Sequence, residues 1–198
     1  MTKFAEKTIS YLVELGSVSE DEKDICEYGF LLIASLAINL LVTVAIGFAF
    51  AIPLEMLAMF IPFAALRAVS GGYHAKSFGG CVAVSAVSIA GAIAAIRFTP
   101  ETARFLIAVG LSAFTLATVF TLAPLRNINR PFDGAEMRKF RKLSRITVIG
   151  AIAVSQVLFL TRVPLYGFSI STGIALSGAA TLVAALRERG GEHDEEEV

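Results

Sequence analysis

Apolar residues fall into long uncharged runs along this chain, not into the short stripes of a water-soluble fold. Glu27 and Glu55 enclose 27 uncharged residues, Lys76 and Arg97 enclose 20, and Arg104 and Arg126 enclose 21. Arg145 to Arg162 encloses 16, and Arg162 to Arg187 encloses 24. A membrane-crossing helix needs about 20 mainly apolar residues, so these five runs predict spans, the first over residues 28–50. A sixth segment, residues 51–69, carries Pro53, Glu55, Pro62 and Arg67. Its terminal charges suit opposite interfaces, so it is read as a span kinked at Pro62. The expected fold class is all-α, a polytopic membrane helical bundle of about six transmembrane helices.

The flanks read differently. Residues 1–27 carry three Lys and seven acids and have no apolar core of a signal peptide. Phe4, Thr8, Ile9, Leu12 and Leu15 recur at helical spacing, which predicts an N-terminal amphipathic helix over Lys3–Leu15 ended by Gly16. Ser19 followed by Glu22 predicts a capping box that opens the next helix. The expected organisation is a charged segment 1–27, a membrane domain 28–187 and an acidic, disordered tail 188–198.

Composition narrows the class. Residues AVILMFWYC make up 56% of the 198, charged residues only 17%, and mean hydropathy is +0.72. A soluble domain carries about 25% charged residues. Lys plus Arg equals Asp plus Glu at 17 each, which gives no basic footprint for nucleic acid. Two Cys and two His, one His in the tail, supply neither a disulfide framework nor a four-ligand zinc site, so no metal or cofactor is expected.

Basic residues set the expected orientation. With six spans, 14 Lys and Arg fall on one side: Lys3, Lys7, Lys23, Arg67, Lys76, the seven from Arg126 to Arg145, Arg187 and Arg189. Only Arg97, Arg104 and Arg162 fall on the other. Both termini are therefore expected in the cytoplasm. The loops around residues 70–80 and 124–145 are separated by two strong spans, so they share that face whatever the weak segment does.

One stretch carries candidate chemistry. Residues 67–81 hold four glycines, His74 and Cys81 at a membrane boundary. A Cys with a His seven residues away suits a thiol nucleophile and its base. The glycines permit the bend that would bring the two together. Cys81 also opens the third of the six expected spans, and a helix N-terminus favours thiolate. Free N–H groups near Gly80 to Val82 would suit an oxyanion. The bland alternative is a glycine-rich turn with an incidental His and a small packed Cys.

The run Gly71-Gly72-Tyr73-His74-Ala75-Lys76, with Arg67 before it and Cys81 after it, resembles the signature of the accessory gene regulator B (AgrB) family. So does Ala123-Pro124-Leu125-Arg126-Asn127-Ile128-Asn129-Arg130-Pro131 with its following basic run. The resemblance implies a multi-pass thiol endopeptidase of a Gram-positive cell membrane that processes autoinducing-peptide precursors for quorum sensing. It puts the catalytic pair on Cys81 and His74 and supporting positions on Arg67 and Gly72. The implied partner is a precursor with an amphipathic leader and a charged tail, which the basic residues Arg138, Lys139, Arg141 and Lys142 would attract.

Other readings stay beside these. Lys76 either favours the Cys81 thiolate or marks topology, and Arg67 either pairs with a substrate carboxylate or offsets a helix dipole. Glu55 and Glu101 belong at the opposite interface, about 30 Å from His74, and cannot orient it. Asp133, Glu136, Asn127, Asn129, Ser70 and Ser77 remain open for that role, so a dyad is the expectation. Cys26 reads as a packed thiol and Asn39 as interhelical glue. The rival function is a small peptide transporter or exporter without covalent chemistry, built around Glu55, Asn39 and the kinked segment. A homodimer is expected through the small-residue face of Gly167, Ser171, Gly178 and Ala179.

Overall fold

A computed structural model describes residues 2–70, 78–125 and 134–196, with no strand among them. Seven α-helices follow one another: α1 (Thr2–Glu14), α2 (Lys23–Ala49), α3 (Pro53–Ser70), α4 (Phe78–Phe98), α5 (Glu101–Leu122), α6 (Gly134–Leu160) and α7 (Pro164–Glu196). The all-α membrane bundle expected from the hydropathy pattern is present. Among the described residues α3, α5, α6 and α7 are long and apolar enough to cross a bilayer. Among the described residues of α2 and α4 the apolar stretches found are Ile33–Ala49 and Ser85–Phe98. The weak sixth segment is thus α3, one of the four, and it runs unbroken through Pro62.

Local chemistry sets the helix ends. Proline stands at the first position of α3 and α7, where its missing N–H costs nothing. Thr99-Pro100 separates α4 from α5, and Glu101 opens α5 with a negative charge against its positive end. Three helices end in Schellman turns, with Gly16, Ala51 and Arg162 in the left-handed region at φ 70°, 57° and 62°. At Gly16 both bonds of the motif are present: Ser17 N–H to Leu12 O at 3.0 Å and Gly16 N–H to Val13 O at 2.8 Å.

The chain forms two compact units, Met1–Val42 and Thr43–Val198. In the first, α1 occupies the predicted span. Ile9 is buried while Tyr11 and Leu15 are exposed. The expected capping box takes another form: Ser19 Oγ donates to the Glu22 carboxylate at 2.9 Å, and a short 3-10 turn over Glu20–Glu22 leads into α2. The Ser19 side chain caps no backbone N–H, and Glu22 N–H donates to Ser19 O at 3.1 Å.

In the second unit α7 is the central helix. Of its membrane-length stretch, 56% is buried, against 17–28% for α3, α5 and α6. Chain ends alternate. Ile52, Met56, Ile96, Ala108 and Phe168 form one apolar cluster, at the starts of α3, α5 and α7 and the end of α4. Leu66, Val119, Ala123, Val148 and Ile174 form a second, nearer the opposite end. Leu125 with Ala184 and Ala185 closes that end. Outward residues are apolar, with Leu106 75% and Leu160 83% exposed, as a lipid-facing surface requires.

Small residues let α7 sit in the centre. A Cβ on Gly173 would collide with the Met59 carbonyl of α3. One on Gly167 would lie 2.7 Å from the Ser155 carbonyl of α6. Ser171 is fully buried and Gly178 packs on Phe114 and Thr115. The small-residue face expected to make a dimer is therefore turned inward, because close packing inside the bundle uses it first.

Buried hydroxyls are satisfied at the same contacts. Ser155 Oγ donates to Gly167 O at 2.7 Å and lies 2.8 Å from Ser171 Oγ, which lies 3.4 Å from Ser112 Oγ. One donor per hydroxyl gives the direction Ser112 to Ser171 to Ser155 to Gly167 O. The backbone of α7 runs as helix to Glu196.

Candidate functional site

The segments that hold the candidate residues leave the bundle at one end of the second unit. Ser70 closes α3, and its carbonyl accepts the Leu125 N–H at 3.1 Å. Leu125 follows α5 by three residues, past the cis Ala123–Pro124 bond. Ser144 on α6 donates its hydroxyl to Val69 O at 2.8 Å, a distance it shares with Phe140 O in its own helix. Val69 O and Ser70 O are last-turn carbonyls without helical partners, and α5's exit and α6 satisfy them. The two segments, residues 71–77 and 126–133, thus start from residues bonded to each other. The expected sharing of one face by these two loops agrees with that contact.

His74, Gly72 and Lys76 lie outside the described residues, as do Ser77, Asn127, Asn129 and Asp133. Cys81 is the fourth residue of α4, in its first turn. The free N–H groups of that turn belong to Phe78, Gly79 and Gly80, and the Val82 N–H lies within the helical ladder. These free groups lie up to two residues earlier than Gly80 to Val82, because α4 begins at Phe78.

Arg67 is half-buried in the last turn of α3, with its guanidinium 6.0 Å from the Phe63 ring centroid. Its place in the last turn, one turn from Ser70, suits a dipole-compensating role. Glu55 opens α3 at the far end, and Glu101 opens α5 there, so neither approaches Ser70. Cys26 is a half-buried free thiol in the first unit. Glu136 is half-buried in the first turn of α6.

The basic run is helical, which corrects its reading as loop. Arg138, Lys139, Arg141 and Lys142 are exposed on the first two turns of α6, which starts at Gly134. The signal was present. Met137, Phe140 and Ser144 recur at helical spacing, and Glu136 in the first turn suits the positive helix end. At 27 residues α6 is about 40 Å long, longer than the hydrocarbon core of about 30 Å. Its basic turns emerge from that core.

Sequence reasoning missed Ser144, Ser112 and Ser155, and took Ser171 only as part of a small-residue face. A serine in an apolar helix has no spacing that distinguishes it from a lipid-facing one, and only packing reveals its partner.

These features define a polytopic α-helical membrane protein whose motif-bearing segments leave the bundle at a common end beside a basic helix. The chain belongs to the AgrB family, accessory gene regulator B, whose model matches residues 5–183. It is similar to AgrB-like protein 2 of Clostridium perfringens (strain 13 / Type A), at 24% identity over 178 residues, covering 87% of this chain and 81% of that protein. No solved structure matches it.

Proposed function

We propose that this protein is a cysteine endopeptidase of the cell membrane that removes the charged C-terminal tail of an autoinducing-peptide precursor. Membership of the AgrB family supports quorum-sensing peptide processing as the setting. The observation that carries the site is the tie of Ser70 to Leu125, with Cys81 in the first turn of α4. These support a site at the end of the bundle where the segments 71–77 and 126–133 begin.

In this reading the precursor's amphipathic leader lies on the bilayer, and its scissile carbonyl meets Cys81. His74 takes the thiol proton, and the thiolate attacks. The C–N bond breaks as His74 returns the proton to the leaving amine, and a thioester remains on Cys81. The first-turn N–H groups of α4 face the developing oxyanion. An internal Cys or Ser of the peptide then takes the acyl group, forming a thiolactone or lactone and restoring the Cys81 thiol. A membrane boundary limits loss of the thioester to water. Arg138, Lys139, Arg141 and Lys142 attract the acidic tail, while Arg67, Gly72 and Lys76 support the site. Both termini and the site face the cytoplasm, following the bias of Lys and Arg.

The test is a gel assay of precursor cleavage by protein reconstituted in lipid. Cys81→Ala abolishes cleavage, Cys26→Ala leaves it unchanged, and His74→Ala slows it by about 10²–10⁴-fold, the usual scale of general-base help. Cleavage by Cys81→Ala at the wild-type rate would sink the proposal and favour a transporter.

A further inference from the structure

We propose that Arg145, with Lys142 beside it, holds the phosphate of an anionic phospholipid where α6 enters the bilayer. The Arg145 guanidinium is half-buried, and its Nε has no hydrogen-bond partner among the described residues. One Nη reaches the Phe120 carbonyl at 3.5 Å, the outer limit of a hydrogen bond, and Cζ lies 4.7 Å from the Phe120 ring centroid. A planar fork of five donors that matches phosphate geometry is thus held in place by an aromatic face, with most of its donor capacity unspent among the described residues.

Its position on the helix selects the ligand. Ser144 is buried and bonded to α3, so Arg145 starts at the margin of the packed face. Ile149, one turn deeper on the same side, is 52% exposed, and the adjacent Ile146 is 56% exposed. One turn outward on that side stands exposed Lys142, and one further stands exposed Arg138. From outside inward the stripe reads cation, cation, cation, apolar. A phospholipid has the complementary order, a phosphate followed by an acyl chain. An acidic peptide in water would find Arg138, Lys139 and Lys142 without reaching Arg145, so the half-buried position favours lipid.

Native mass spectrometry of the full chain in detergent tests this, with dioleoyl phosphatidylglycerol, dioleoyl phosphatidylcholine and inorganic phosphate as probes. The wild type retains phosphatidylglycerol over phosphatidylcholine. Arg145→Gln lowers that retention about tenfold, the scale of one lost charge-assisted hydrogen bond. Arg145→Lys recovers part of it, and Lys142→Gln loses about threefold through reduced local charge. Arg162→Gln, the same charge change at the far end of α6, leaves it unchanged. Lipid-free melting checks that each variant folds, and Lys142→Gln carries the test if Arg145→Gln does not. Equal retention by wild type, Arg145→Gln and Lys142→Gln would overturn the proposal. So would millimolar phosphate, or a soluble acidic peptide, removing the preference for phosphatidylglycerol.

Discussion

Single hydroxyls hold the site end of the bundle together. Ser144 is fully buried and gives Val69 O a partner outside α3. Ser144→Ala leaves that carbonyl without it and costs about 1–2 kcal/mol, the scale of a buried unsatisfied group. Chemical denaturation in detergent will show the loss. Amide exchange will also quicken at Leu125, whose partner Ser70 adjoins Val69. Unchanged stability and exchange would mean the tie is incidental. This residue had no signature in the sequence. Cys81 and His74 stood out because their types are rare here and lie in a glycine-rich motif, whereas Ser144 differs from its lipid-facing neighbours only in what it meets.

Helix-scale order was the most legible. Charge-free length predicted five apolar segments, the placing of Glu55 and Arg67 at opposite ends admitted α3, and the starts at Pro53, Glu101 and Pro164 follow from capping chemistry. Two elements were misread for identifiable reasons. The basic run was assigned to a loop because charge density outweighed its helical spacing, yet α6 simply projects beyond the hydrocarbon. Gly167, Ser171 and Gly178 were assigned to a partner chain because small residues mark close helix packing without saying which helices meet. Gly173 belongs to the same set, and its substitution tests the inward reading. Gly173→Ala must push α3 from α7, since the colliding atom is backbone. The expected cost is about 1–3 kcal/mol. Gly110→Ala, where a Cβ meets nothing within 4 Å, serves as the neutral comparison. Equal melting temperatures for the two would contradict a central α7.

At the scale of the molecule, the bundle presents a basic helix start beside the exit of the motif segments. Neutralising Arg138, Lys139, Arg141 and Lys142 together removes attraction for the precursor's acidic tail. KM then rises several-fold, on the order of the loss of exposed charge pairs, with a smaller change in kcat. The difference from wild type shrinks at high salt, since these side chains are exposed. A large fall in kcat at constant KM would instead make the basic turns part of the chemistry. That the two segments begin at one end of the bundle was legible from topology alone, because two strong spans return the chain to the same end. The contact that realises it, Leu125 on Ser70, was not, since backbone groups leave no mark in a sequence.

The central claim is a covalent acyl-enzyme on one thiol. Intact-protein and peptide mass spectrometry of the lipid-reconstituted enzyme, quenched in acid during precursor turnover, measures it directly. The account predicts a mass increase on the Cys81 peptide equal to the acyl portion of the precursor without its tail, sensitive to hydroxylamine as a thioester. It is absent from Cys81→Ala and unaffected by Cys26→Ala. Tail release in the wild type with no adduct on Cys81 at any quench time, and undiminished release by Cys81→Ala, would contradict it.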